Sequence, residues 1–294
     1  LADIVYWNRA QQREETEKVY GDALVRWLYD TPSGQLVANG ALSRALPSKL
    51  YGAYQSSALS RRKIEPFIRD FAIPMDEYEP GPFGSFNDFF IRRFRPGVRV
   101  FETSPSLMPA FAEARYLGYE NVLPEQTFPV KGSDLHAEAL LGSSGRAKVF
   151  EGGPLLIARL CPVDYHRFHF PDSGHEIERY RMPGLLHSVN PLALKFRSDI
   201  FCVNERQISV LETENFGKLA YIEVGAMMVG KIVQTHEGQG FSRGDEKGYF
   251  LFGASTVIVM GEKGTWRPVD DLMQQTACGR EVLVRLGEPV ATQS

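Results

Sequence analysis

The sequence predicts an α+β protein, with a mostly antiparallel β sandwich or barrel-like domain behind an N-terminal helical region. Three observations lead there. Apolar residues recur at helical spacing over residues 1–75. Pro74, Pro80, Gly81, Pro82 and Gly84 then interrupt the chain and mark a join. From about Leu107 onward, short apolar runs alternate with Gly, Pro and Asp breaks, as strands separated by turns do. The expected division is therefore 1–75, helical and a candidate membrane-contact region, and 76–294, β-rich.

Composition narrows the class. Hydrophobic residues make up 43% and charged residues 23%, which is the mix of a folded chain. A net charge of −3 gives no basic excess for nucleic acid, so no nucleic-acid partner is expected. Cys161, Cys202 and Cys278 are odd in number and far apart, which argues against a disulfide framework. No apolar run approaches the roughly 18 residues of a spanning helix.

In chain order, Ile4, Val5 and Trp7 begin an apolar face that Val19, Leu24, Trp27 and Leu28 continue. A second helical pattern runs through Ile64, Phe67, Ile68 and Phe71. Residues 41–63 mix Leu46, Leu50, Tyr51, Tyr54 and Leu59 with Arg44, Lys49, Arg61, Arg62 and Lys63. That mixture suits a surface lying on anionic lipid, and equally a helix packed on the domain with a solvated basic face. Ser85-Phe86-Asn87-Asp88-Phe89-Phe90 predicts a short helix capped by Ser85 or Asn87. The runs RYLGY, LLIARL, QISVLE, LAYIEVGAMMVGKIV, YFLF, TVIVM and EVLVRLG predict strands, with one helical piece at Asp134–Leu141. Between YFLF and VIVM, Gly253-Ala254-Ser255-Thr256 reads as a tight turn that holds a serine between two strands.

Few residues suit chemistry. Asp164-Tyr165-His166-Arg167-Phe168-His169 holds two histidines three apart. Helical zinc pairs sit four apart, and the flanking prolines oppose a long helix, so no metal is expected. A general acid or base is better motivated, because imidazole titrates near neutrality. In an extended segment the two rings point to opposite faces. Glu113, Asp88 and Asp164 are all carboxylates that could orient a histidine, and the residues alone do not choose among them. Arg179, Arg181 and Lys195 are candidate anion contacts around His187-Ser188-Val189-Asn190-Pro191. Gly225–Ile232 resembles a carrier hairpin superficially, but its apolar content suits a core strand.

Taken together, seven separated segments resemble the phosphatidylserine decarboxylases, which make their own pyruvoyl cofactor. They are FNDFFIRRFRPG (86–97), CPVDYHRFHFP (161–171), LHSVNP (186–191), NERQISVLET (204–213), VGAMMVGKI (224–232), GDEKGYFLFGAST (244–256) and the VIVM that follows. The resemblance implies self-cleavage between Ala254 and Ser255, with a β chain ending at 254 and an α chain starting at 255. Ser255 becomes the pyruvoyl group, which decarboxylates phosphatidylserine to phosphatidylethanolamine through a Schiff base. It implies that His169 and an acidic residue activate Ser255, with His166 near the substrate for positioning or proton transfer. Tyr165, Ser188 and Asn190 are the further substrate contacts expected. The implied protein is a catalytic domain held peripherally on the cytoplasmic side of the cell membrane, against an anionic surface, and is expected as a homodimer.

Two departures stand out. Ala254 replaces the glycine usual before the cleavage-site serine, and a methyl there restricts the backbone that must distort during an acyl shift. Pro-Ala-Asp-Gly, usual in the family, has no copy here; the expected match puts Glu113 at the aspartate, between Ala112 and Ala114. A Glu113–His169–Ser255 triad follows. The rival readings are a pyruvoyl-dependent decarboxylase of a soluble amino acid, and an unprocessed, non-catalytic lipid-binding relative that lacks the pyruvoyl group.

Overall fold

A computed structural model describes residues 4–21, 26–28, 31–37, 40, 45–121, 127–128, 133–134, 137–197, 199–226, 231–253 and 255–294. The chain opens with a hairpin, β1 (Val5–Asn8) and β2 (Arg13–Thr16). Helices α1 (Pro32–Val37), α2 (Ala45–Gln55), α3 (Ile64–Phe71) and α4 (Phe86–Phe90) follow. Next come β3 (Leu107–Pro109), β4 (Ala114–Tyr119), β5 (Thr127–Phe128), β6 (Ser133–Asp134), β7 (Leu155–Leu160), β8 (Arg167–His169) and β9 (Gly174–Met182). The rest comprises β10 (Arg206–Thr213), β11 (Gly217–Val224), β12 (Ile232–Gln234), β13 (Gly240–Phe241), β14 (Glu246–Phe250) and β15 (Ser255–Gly261). The chain closes with β16 (Trp266–Pro268), β17 (Glu281–Val284) and β18 (Pro289–Gln293).

Ten strands form one sheet, in the order β13-β9-β10-β11-β15-β7-β4-β17-β1-β2. All its pairs are antiparallel except β1 with β17. The sheet stays open rather than closing into a barrel, with β13 and β2 at its edges. Its middle strands, β7 and β15, are buried along their whole length. Their apolar runs are continuous rather than alternating, as burial on both faces requires. Smaller sheets, β12-β14-β8 and β16-β18-β3, pack beside it.

Two sequence expectations change. The first residues are a hairpin, not a helix: Tyr6 and Asn8 are buried while Val5 is exposed, a period of two. YFLF and VIVM are not the arms of one hairpin, because β14 belongs to the small sheet and β15 to the large one. Other expectations hold in part: Val19 of the expected helical face lies in no helix, and Asp134 of the expected helical piece closes β6. Helix α4 is capped by Ser85, whose Oγ accepts the Asp88 N–H at 3.1 Å. A helix occupies Ala137–Leu141, within the expected piece. Of the carrier-like stretch, residues 227–230 lie outside the described residues, as do residues 41–44 of the basic stretch.

The helical region is not detached. Ile64 and Phe67 join Phe86, Phe89, Phe90, Tyr165 and Phe252 in one aromatic cluster beside the large sheet. Asn87 is its polar pin: Oδ1 accepts the Phe252 N–H at 2.9 Å and Nδ2 donates to Ser56 Oγ at 2.8 Å. A wholly buried pair, Lys247 Nζ to Glu223 Oε1 at 2.6 Å, ties β14 to β11.

Candidate active site

Ser255 is the first residue of β15 and is wholly buried. It pairs with Leu160 on β7, while the next residue, Thr256, pairs with Val224 on β11. The chain reaches it from the small sheet through Phe252 and Gly253, whose φ of +143° is open to glycine and not to other residues. Ala254 lies outside the described residues.

His166 is the imidazole against the serine. Its Nδ1 lies 3.5 Å from Ser255 Oγ, and its Nε2 lies 2.8 Å from the Cys161 carbonyl oxygen. A carbonyl only accepts, so Nε2 carries the hydrogen and Nδ1 presents a lone pair to the serine. Phe90 stacks on the ring at 3.9 Å between centroids. Burial pushes the His166 pKa down to about 3, with the charge of Arg92 adding to the effect and the Cys161 bond opposing it. The ring is therefore neutral at pH 7.

His169 has the opposite tautomer. Its Nδ1 donates to the Gly244 carbonyl at 2.9 Å, and its Nε2 accepts from the Tyr165 hydroxyl at 3.3 Å. Burial lowers its pKa to about 4. Tyr165, stacked on Phe94 at 4.4 Å, has its own pKa raised by burial.

The carboxylates are arranged differently from the expected triad. Glu113 is gripped by Arg99, at 2.6 and 2.7 Å, and accepts the Leu286 N–H at 3.1 Å. Its hydrogen bonds go to these groups and not to a histidine, so Glu113, His169 and Ser255 are not brought into one hydrogen-bonded row. The group that meets His169 from this segment is the Phe111 carbonyl, which accepts the His169 N–H at 2.8 Å. Phe111 follows Pro109-Ala110 directly, and its side chain is wholly buried. Asp88 is exposed on α4. Asp164 accepts from Arg115 Nη1 and from the Cys161 N–H, both at 2.7 Å.

On the other side of β15, Ser188 Oγ accepts the Asn190 N–H at 3.2 Å. Asn204 holds this loop by both backbone groups of His187 and also donates to the Gly225 carbonyl at 2.8 Å, next to the Val224–Thr256 pair. His187 itself is buried and its Nε2 has no hydrogen-bond partner among the described residues. His187 and Asn204 lie in the segments LHSVNP and NERQISVLET that carry the resemblance, which gives neither of them a role. The expected anion contacts are spoken for: Arg179 pairs with Glu176 at 2.8 Å and Arg181 with Glu205 at 2.7 Å. The Lys195 side chain lies outside the described residues. No metal-binding group of His, Cys, Asp and Glu occurs among the described residues.

A buried serine facing a neutral imidazole is an activated nucleophile in waiting. Such a pairing, beside a peptide bond of the serine's own chain, suits a protein that acts on itself, a proenzyme. Comparison with known proteins agrees. The phosphatidylserine decarboxylase family model matches residues 86–292. A phosphatidylserine decarboxylase proenzyme of Clostridium botulinum is 38% identical over 293 residues, 99% of each chain. Those of Ruminiclostridium cellulolyticum (39% over 290 residues; 98% of this chain, 97% of the relative) and Clostridium perfringens (38% over 298; 99% and 100%) are alike. The chain belongs to the phosphatidylserine decarboxylase family.

Proposed function

We propose that this chain is a phosphatidylserine decarboxylase proenzyme that cuts itself between Ala254 and Ser255. The observation that carries the reading is the 3.5 Å approach of Ser255 Oγ to the bare Nδ1 of His166. Contacts of this kind are commonly long before reaction and tighten during it. In the cut, Oγ attacks the residue 254 carbonyl, its proton passes to His166 Nδ1, and the amide nitrogen leaves with a proton. The product is an ester. Loss of the Ser255 α-hydrogen then breaks the Oγ–Cβ bond, leaving a carboxylate on residue 254 and dehydroalanine at 255. Water converts the dehydroalanine to a pyruvoyl group and ammonia.

The surroundings of Ser255 fit that group. It is made in place from a buried residue, and His166 already lies against it with Phe90 behind. The pyruvoyl carbonyl supplies an electron sink for the carbon that loses CO2. His166 is then the group placed to take the proton that the substrate ammonium sheds and to return it at that carbon. Tyr165, held by His169, and the Ser188–Asn190 loop, held by Asn204, orient the substrate. Phosphatidylserine fits a molecule whose helical region exposes Trp27, Leu36, Leu50 and Leu59, with Arg61 and Arg62 exposed shortly after Leu59 in the chain. Such a surface suits peripheral attachment to an anionic membrane on its cytoplasmic side. Among the described residues no helix is long and apolar enough to cross a membrane.

Intact mass of purified His166→Ala and His169→Ala proteins tests the base. The expected result is an uncut His166→Ala chain and a His169→Ala chain that still yields two fragments. The opposite pair of results would give the base role to His169 and overturn the assignment made here.

A further inference from the structure

We propose that Lys247 and Glu223 form a latch that keeps the histidine strand in place against Ser255 once the chain is cut, and that the latch matters little while the chain is whole. This rests on the cut before Ser255 proposed above. The two sides of the site stand on different sheets, β8 and β14 on a small one and β15 on the large one. In the uncut chain residues 251–254 join β14 to β15 covalently. The cut removes that join, and leaves a chain end four residues past Phe250. Yet β14 is the strand that holds the histidine segment. The Phe250 N–H donates to the His166 carbonyl at 2.9 Å, and Glu246 and Tyr249 face His169 and Arg167 across the ladder.

Lys247 is the extra residue of a bulge: the ladder steps from Glu246 to Gly248 on β14 while it moves only from His169 to Phe168 on β8. A bulge re-aims a side chain out of the regular alternation. Here the Lys247 chain reaches β11, where Glu223 Oε1 accepts from Nζ at 2.6 Å, and both side chains are 0% exposed. Gln234 Oε1 accepts from the same Nζ at 2.9 Å, and the ammonium lies 5.1 Å from the centre of the Tyr221 ring. The Tyr221 hydroxyl adds a second tie, donating to the His169 carbonyl at 3.1 Å. Glu223 is paired with Val257 on β15, two residues after Ser255. The bond therefore joins the neighbour of the histidine strand to the neighbour of the serine strand. Removing two charges from water costs about what their attraction returns, so stability alone is a poor account of such a pair. Register is a better one, because a slip of β14 would leave both charges buried and unpaired. The covalent join and the latch act in parallel, and either alone keeps β14 in place.

The test compares cut and uncut full-length protein carrying Lys247→Met and Glu223→Gln together, near-isosteric changes that remove the bond and leave no buried charge. Ser255→Ala supplies the uncut state. Hydrogen exchange at the amides of residues 246–250, read by mass spectrometry, reports release of β14. In the uncut chain the double change is expected to alter this exchange by less than about twofold; in the cut protein it is expected to speed it at least about tenfold. The rate of cutting should stay within about twofold of the parent, while kcat for CO2 release from phosphatidylserine falls by about tenfold. A pair that only stabilises the fold would speed exchange equally in both states. Equal acceleration in both, or none in the cut protein, overturns the proposal. The parent gives a check that needs no folded variant: with the latch intact, cutting alone should leave exchange at these amides within about twofold, and a larger rise overturns the proposal too. If the chain never cuts itself, the reading of Ser255 fails. A protease recognition sequence inserted between Gly253 and Ala254 then supplies the break, and exchange before and after proteolysis still decides the latch.

Discussion

Acidification from pH 7 to pH 5 is expected to remove about 4 kcal/mol of folding stability through two histidines of the site. An unfolded imidazole titrates near 6.5, whereas burial holds His166 at about 3 and His169 at about 4. Both folded values are depressed, so below pH 6.5 the unfolded chain binds protons that the folded chain refuses. Stability is complete above that pH, falls as pH drops, and stops falling only near the folded values. Each histidine contributes about 2 kcal/mol between pH 7 and pH 5, and the steepest slope for the pair is roughly 2.7 kcal/mol per pH unit. Neither ring needs discounting for solvent, since they are 0% and 8% exposed. A loss of this size is a large part of the roughly 5–15 kcal/mol that holds a domain folded. Urea unfolding of the chain carrying Ser255→Ala, which stays in one piece, at pH 7, 6 and 5, followed by tryptophan fluorescence, measures it, with the histidine variants made in the same background. His166→Gln and His169→Gln should each halve the pH-dependent loss, and the double variant should nearly abolish it. Single variants that keep the full loss would refute the reasoning.

Other outcomes follow from the same structure. Glu17→Gln should cost roughly 3 kcal/mol at pH 7, read by urea unfolding. Burial raises the pKa of this carboxyl, but Arg159 and Arg115 outweigh it and hold it near 2, so the difference from the parent persists above pH 4.5 and shrinks as pH falls toward 2. Replacing exposed Leu50 and Leu59 together by Asp should weaken co-sedimentation with anionic phosphatidylserine vesicles at least several-fold, with no change in unfolding midpoint; unchanged sedimentation would move the membrane face elsewhere. Ala254→Gly should speed the appearance of two fragments by intact mass, because glycine relaxes the backbone at the cut. The cut protein should release CO2 from phosphatidylserine and not from free amino acids, and the reverse would select the soluble-substrate reading.

How much was legible depended on where each signal lay along the chain. LLIARL and VIVM announced buried strands because burial on both faces leaves a continuous apolar run. The opening hairpin was hidden: β2 reads REET, and β1 finds its partner β17 more than 270 positions away, so its identity is set by pairing and not by local pattern. Ser255, His166 and His169 stood out in the residues and, with Tyr165, took their roles from the resemblance; the structure sets His166 against Ser255 and Tyr165 against His169. Which histidine meets Ser255 was not legible, since it turns on how a loop folds back onto β15. Glu113 illustrates the limit of matching a carboxylate by sequence alone. Arg99, fourteen residues earlier, claims it, and nothing in the spacing signals that. Asp164 did leave a signal, as an acidic residue three positions after Cys161 across a proline, the pattern of a side chain closing a turn.

The central placement of β15 has a consequence for what a cut before residue 255 would produce. The smaller fragment would own β15, β16, β17 and β18. Within the large sheet β15 lies between β11 and β7, and β17 between β4 and β1, so both strands that the smaller piece gives to that sheet are flanked on both sides by strands of the larger. The two polypeptides would be interleaved like the teeth of two combs. Neither could leave without tearing open the middle of the sheet, and dilution would not part them. Folding would have happened once, within a single chain, whereas recovery after denaturation would require two chains to meet and interleave. Such a protein relies on the slowness of its unfolding more than on any readily regained equilibrium. Self-cleavage would thus act as a ratchet, turning a fold reached in one molecule into an assembly that is hard to rebuild.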